Sequence, residues 1–239
     1  QAGLADVFID AVKIRKVQII LESHSEHLLT RLQRRIAEKN YSAENCALYF
    51  CEIKEGTSSL VPLELNLEMA ATKEMISIAL KVKPDMVTLV PEKREELTTE
   101  GGLDVKRQKV NLKKAVSRIQ GAGIPVSLFI NPSNDDIAVS GEIGAKMVEI
   151  HTGLYANARA KSQERELIKV VKAVREASSL GLQSNAGHGL NYPNVKKIAE
   201  IEGLRGLYIG HSIISRAVLV GMERAVREMK ELINAKCRL

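Results

Sequence analysis

From Leu63 onward, apolar and polar positions follow two alternating rhythms. Short β-rich runs, "LELNLEM", "MVTLV", "PVSLFI", "MVEIHTG", "LQSNAGH" and "LRGLYIGHS", are separated by segments with a helical apolar face. In "TKEMISIALKVK" that face carries Met75, Ile76, Ala79 and Leu80, and Pro84 closes it. "QERELIKVVKAVREASSLG" and "SRAVLVGMERAVREMKELI" follow the same rule, the latter with a predicted buried stripe of Met222, Val226, Met229 and Ile233. Six βα units result, and nearly continuous apolar strands with helical crossovers predict a parallel sheet covered by helices. Glu68, Thr98, Thr99, His151, His188 and His211 fall at the C-terminal ends of these strands. Both (β/α) barrels and open doubly wound sheets carry their sites there.

The first 63 residues break the rhythm. "VQIILESHSEHLLTRLQRRIAEK" reads as a strand, a turn and a helix with Leu28, Leu29, Leu32 and Ile36 facing inward. "CALYFCEIKEGTSSLVPLEL" reads as two strands joined across Glu55–Ser59. Parallel neighbours need a crossover of a dozen or more residues, so this link predicts an antiparallel hairpin. A boundary is expected near Leu63–Leu67.

A chain of 239 residues, 45% hydrophobic and 27% charged, has room for one large α/β domain or two small ones. No run approaches the roughly 18 apolar residues of a membrane span, and no leader pattern opens the chain. Its three cysteines, Cys46, Cys51 and Cys237, lack metal-ligand spacing and read as reduced thiols of a cytoplasmic protein. Residues 1–63 are neutral, with 8 Lys/Arg against 8 Asp/Glu, while the remainder holds 27 against 21 and accounts for the whole +6. Small phosphorylated substrates or a solvated helical surface both fit that balance. Nucleic acid does not, because aromatics are only 3% and no basic stripe interleaves with them.

Chemistry concentrates in three places. "NAGHGLNY" (185–192) and "YIGHSI" (208–213) each set a Gly-His pair at a strand end directly before a helical segment. Glycines let the backbone approach an anion, and amides at a helix start suit phosphate. The loops after the last two strands are the usual phosphate site of (β/α) barrels, although a histidine in a turn is the plainer reading of either pair alone. Glu68 in "LNLEMA" is a carboxylate on an apolar strand, either salt-bridged or held for general acid/base work. In "VPEKREELTTEGGLDV" (90–105), Thr98, Thr99 and Gly101–Gly102 form either a second anion site or a charged loop.

The segments "LNLEMAATKEM", "KPDMVTLVPEKREELTTEGGLDV", "VSLFINP", "VEIHTGLYANA", "NAGHGLNYPNV" and "IGHSIISRAVLVGMERAVREMKELI" resemble pyridoxine 5′-phosphate synthase in unbroken order, from about Leu65 to the C-terminus. The resemblance implies an incomplete TIM (β/α) barrel, family strands 3 to 8, over residues 64–239. The implied reaction joins 1-deoxy-D-xylulose 5-phosphate to 3-amino-2-oxopropyl phosphate. Its products are pyridoxine 5′-phosphate, inorganic phosphate and water, and no metal or organic cofactor takes part. By motif, Glu68 is implied as an acid/base catalyst and His188 as the proton donor of the later steps. Thr98 is implied to contact the deoxyxylulose phosphate, and Gly189, Gly210 and His211 to cradle the aminoketone phosphate. Homo-oligomers are implied as well, while composition and the lack of a long apolar run predict neither a nucleic-acid nor a membrane partner.

Two family motifs, Asn-x-Asp-His on the first strand and His-x-Arg-Glu-Asp-x-x-His after the second, do not occur here. "VFIDAV" (7–12) offers only Asp10, and His24 and His27 sit in "ESHSEHLL". Residues 1–63 instead resemble the C-terminal part of ABC/SMC-like predicted ATPases, a foreign β-α-β-hairpin segment in which His24 would sit in the switch loop. No GxxxxGK[ST] loop accompanies it. Two alternatives to an active synthase follow: a non-catalytic phosphate-binding or oligomerising remnant, and an ATPase-family interaction module.

Overall fold

A computed structural model describes residues 2–15, 18–19, 31–32, 34–36, 38, 40–42, 45–46, 49–54, 57–62, 64–92 and 101–235. The chain divides into two compact units, Gln1–Glu64 and Leu65–Leu239.

In the first unit, α1 (Ala2–Arg15) takes up the "VFIDAV" stretch and closes on Lys13 and Arg15, cations that suit a helix C-terminus. Residues 31–32 and 34–36 are helical as well, with Leu32 and Ile36 half-buried. Asp6 binds Arg35 Nε at 2.6 Å and Arg31 Nη2 at 2.8 Å. These two guanidiniums, Arg35 first, hold its carboxyl well below the usual range. The hairpin predicted from the short link is present: β1 (Tyr49–Lys54) pairs antiparallel with β2 (Thr57–Pro62), Lys54 opposite Thr57. The strand therefore resumes at Thr57, tighter than the Glu55–Ser59 turn read from sequence. Gln18 and Ile19 are irregular, while the rest of "VQIILE" and both His24 and His27 lie outside the described residues.

The second unit realises all six predicted strands. β3 (Asn66–Met69), β4 (Met86–Leu89), β5 (Val126–Ile130), β6 (Met147–His151), β7 (Gln183–Gly187) and β8 (Leu204–Tyr208) lie in that order in one curled sheet, parallel throughout. Crossovers run through α2 (Lys73–Val82), α3 (Val105–Gln120), α4 (Asn134–Ile143), α5 (Gly153–Asn157) with α6 (Ala160–Ser179), and α7 (Val195–Ala199). The Thr72 hydroxyl caps α2 by accepting from Met75 N at 3.2 Å, and Lys83, in left-handed backbone, ends it just before Pro84.

The side chains sort by parity. Val87, Leu89, Val126, Leu128, Ile130, Val148, Ile150 and Ala186 join one buried cluster with Ala79, Leu112, Val116, Val170 and Val174 of the helices. Burying such side chains is worth about 1.5–3 kcal/mol each, which explains why this face of the sheet is the helix-covered one. Registered partners in a parallel sheet share a face, so the opposite face carries Asn66, Glu68, Thr88, Ser127, Phe129, Met147, Glu149, His151 and Asn185.

The C-terminal segment departs from expectation. Gly221, at φ 84°, divides it into α8 (His211–Val220) and α9 (Met222–Asn234). Of the expected stripe, Met229 is buried and Ile233 half-buried, while Met222 is 43% exposed and Val226 36%; Ala225 is the further buried residue of α9. On the same helix, Tyr192 OH donates to Ala225 O at 2.7 Å.

Candidate functional site

The site is built at the C-terminal ends of β5, β6 and β7. Phe129, His151 and His188 form a ring cluster, with centroids 5.3 Å apart for Phe129–His151, 4.6 Å for Phe129–His188 and 5.4 Å for His151–His188. Below the rings, Glu149 is buried, and a Cβ on Gly187 would fall 2.6 Å from its Oε1. The missing side chain at Gly187 thus makes the space that the carboxylate occupies. Asn185 Nδ2 donates to Tyr208 OH at 3.3 Å, extending the polar surface onto β8.

His188 is held in an unusual backbone. Its φ is 75°, a left-handed conformation that non-glycine residues seldom adopt and that clusters at functional sites. The buried Thr152 sustains it. Thr152 N donates to Gly187 O at 2.8 Å, and its hydroxyl lies 2.6 Å from Gly187 O and 2.7 Å from His188 O. Gly189 is left-handed too, at φ 74°, and a Cβ there would lie 2.6 Å from that of Ala156, so only glycine fits. Asn194 fixes the far side: its Nδ2 donates to Gly189 O at 3.2 Å and its Oδ1 accepts from Asn191 N at 2.8 Å. The Tyr155 hydroxyl donates to Asn194 O at 2.8 Å, and burial pushes this phenol's pKa up, keeping it a donor.

Gly210 and His211 open α8 at the end of β8, where Gly210 O accepts from Ile214 N at 3.0 Å. The two Gly-His loops are tied together, because the Ser212 hydroxyl donates to Leu190 O at 2.9 Å. The second of these turns opens directly into α8.

Glu68 stands on β3, opposite Thr88 in register and exposed. It shares the sheet face of Glu149 and His151, next to Asn66, whose Oδ1 accepts from the Thr88 hydroxyl at 3.0 Å. The structure therefore joins His188 to the ring cluster and ties the loop of Gly189 to that of Gly210 and His211 through Ser212 and Leu190. Glu68 it sets on the same face, at the far strand. Thr98 lies outside the described residues. Of its loop, Gly102 packs on the end of β5, with its N–H committed to Asn131 Oδ1 at 3.0 Å.

Sequence reasoning passed over Phe129, Glu149, Thr152, Asn185, Asn194 and Tyr208. A signal existed in "MVEIH", where Glu149 and His151 alternate with Val148 and Ile150. Reading the strands as continuously apolar hid it.

Comparison with known proteins places these motifs. The family described as pyridoxal phosphate biosynthesis protein PdxJ matches residues 53–235, beginning within β1. A Thermodesulfovibrio yellowstonii protein named pyridoxine 5′-phosphate synthase is 67% identical over 178 residues, 74% of each chain. Proteins of the same name from a Geobacter strain and a Synechococcus strain are each 59% identical over 175 residues, 73% of each chain. A match of this length and identity, running through both Gly-His loops and the buried Glu149 strand, leaves one assignment: the chain belongs to the pyridoxal phosphate biosynthesis protein PdxJ family.

Proposed function

We propose that this chain is a pyridoxine 5′-phosphate synthase, condensing 1-deoxy-D-xylulose 5-phosphate with 3-amino-2-oxopropyl phosphate in vitamin B6 biosynthesis. The observation that carries the reading is the shared sheet face, on which Glu68, Glu149 and His151 line up toward the ring cluster that seats His188. Ring formation by condensation and dehydration needs several proton transfers, and separate acids and bases on one surface serve them.

In this reading Glu68 accepts protons and His188 donates one in a later step. Thr152 and Asn194 hold the His188–Gly189 turn in place, so the imidazole meets its substrate without reorganising. Gly189, Gly210 and His211 receive the aminoketone phosphate, with the Ser212–Leu190 bond keeping the two loops together. Thr98 takes the sugar phosphate. Cytoplasmic location comes to the reading from the cysteines, and self-association from the resemblance. Residues 1–63 keep their likeness to an ATPase fragment as a proposal of origin, without nucleotide chemistry.

The test supplies both substrates to the folded protein and follows pyridoxine 5′-phosphate by chromatography with mass detection. Product is expected from the wild type, with loss in Glu68→Gln and in His188→Ala. Absence of product from well-folded wild-type protein overturns the reading.

A further inference from the structure

The last two strands do not pair at an even step. Ser184 pairs with Leu204, but the next residue of β7, Asn185, pairs with Gly206, so β8 advances two residues where β7 advances one. Arg205 is the extra residue of this bulge. In an unbroken strand Leu204, Gly206 and Tyr208 would share a face, and Leu204 packs on the helix-covered core. The bulge reverses that alternation, and Tyr208 turns to the face of Asn185, Glu149 and His151. Bulges beside active sites re-aim side chains in this way.

Two glycines make room for the turned ring. Gly187 lies in register between His151 and Tyr208, and a Cβ on it would fall 2.6 Å from Glu149 Oε1 and 3.2 Å from Tyr208 Cβ. Gly206 is the registered partner of Asn185, and a Cβ there would meet Asn185 Oδ1 at 3.3 Å. Across this bare ground the buried Asn185 donates through Nδ2 to the Tyr208 hydroxyl. A phenol oxygen that accepts a hydrogen bond is a stronger donor through its own proton, and that proton points away from Asn185. Tyr208 is half-buried and precedes Gly210 by two residues, about 7 Å back along the strand.

We propose that Tyr208 is a substrate-binding residue, its hydroxyl donating to the ketone oxygen of the aminoketone phosphate, and that Asn185 is the positioning residue that orients it. The identity of the ligand rests on the synthase reading. In that ligand the ketone carbon is one methylene from the phosphate ester oxygen. A phosphate seated at Gly210 and His211 therefore brings the ketone over the next inward side chain of β8, which is Tyr208. A ketone oxygen only accepts, so a fixed donor there selects it against an analogue without that oxygen.

Calorimetry with the full 239-residue chain tests this with two ligands, 3-amino-2-oxopropyl phosphate and 3-aminopropyl phosphate, which lacks the ketone oxygen. The wild type is expected to bind the ketone ligand about tenfold more tightly, the worth of one well-placed hydrogen bond. Tyr208→Phe keeps the ring, and is expected to bind the two ligands alike with its affinity for 3-aminopropyl phosphate unchanged. Asn185→Ala is expected to show an intermediate preference, and to add nothing in the Tyr208→Phe background. Circular dichroism checks the fold of each variant. Undiminished preference for the ketone ligand in Tyr208→Phe overturns the proposal alone, as does a wild type that binds both ligands alike. Equal loss of affinity for both ligands, the mark of a merely structural role, overturns it too. An effect of Asn185→Ala that persists without the hydroxyl overturns the positioning role. Wild-type protein that binds neither ligand overturns the synthase reading, and this proposal with it.

Discussion

His188 lies against Phe129, ring centroids 4.6 Å apart and planes tilted by 39°, while its backbone is held left-handed. Two independent restraints, a ring contact and a backbone turn, thus fix one imidazole at the end of β7. Removing the imidazole in His188→Ala is expected to lower kcat by about 10²–10⁴, the usual contribution of a general acid, with little change in KM. Phe129→Leu keeps the acid but loosens its seat. It is expected to cost less in kcat and to shift the pH profile, which a purely structural role would leave in place. Steady-state rates across pH read both.

Gly102 is predicted to be intolerant of any side chain. A Cβ there would fall 2.4 Å from the Ile130 carbonyl carbon, and a backbone atom at the end of a buried strand has nowhere to go. Gly102→Ala is expected to destabilise the fold by about 1–3 kcal/mol, the range for overpacking. Denaturant titration should show a lower midpoint at unchanged slope.

Asn194 ties the His188–Gly189 turn together through Gly189 O and Asn191 N. Asn194→Ala leaves these groups without their partner, at a cost of about 1–3 kcal/mol for buried polar groups. Calorimetry with inorganic phosphate should show weaker binding in this variant. Asn194→Asp keeps the acceptor for Asn191 N and loses the donor to Gly189 O, so an intermediate loss is expected.

Acid stability should depend on Glu228. Hydrogen bonds from Arg216 and then Arg224 lower its carboxyl from 4.5 to about 2. A folded-state value below the unfolded one gives a stabilising contribution that is complete above pH 4.5 and fades as pH falls toward about 2. Glu228→Gln removes that contribution. Its melting temperature should therefore fall less than that of the wild type between those two pH values, as thermal unfolding at a series of pH values will show.

The strands were legible because their side chains differ so sharply from those of the helices. "PVSLFI" and "MVEIH" became β5 and β6, every residue of both buried. Both Gly-His turns were legible too, since glycine beside a strand end has few other uses. Glu149 was not, although its residue is as plain in the sequence as Glu68. A carboxylate gains significance only from what surrounds it, and the cavity over Gly187 is made by residues nearly forty positions apart. The predicted α9 stripe held at Met229 and failed at Met222 and Val226 for a related reason. Periodicity identifies an apolar face, but whether that face is covered depends on neighbours that the helix itself does not encode.

The residue pattern by itself determined six βα units, their parallel pairing, the antiparallel hairpin before them and the two Gly-His turns, because each follows from contacts within some thirty residues. Only the tertiary structure decided which face of the sheet each polar residue occupies, which imidazole meets Phe129, and which helix stays uncovered. Those outcomes depend on the register between strands and on the left-handed turn at His188, where contacts distant in sequence outweigh local preference.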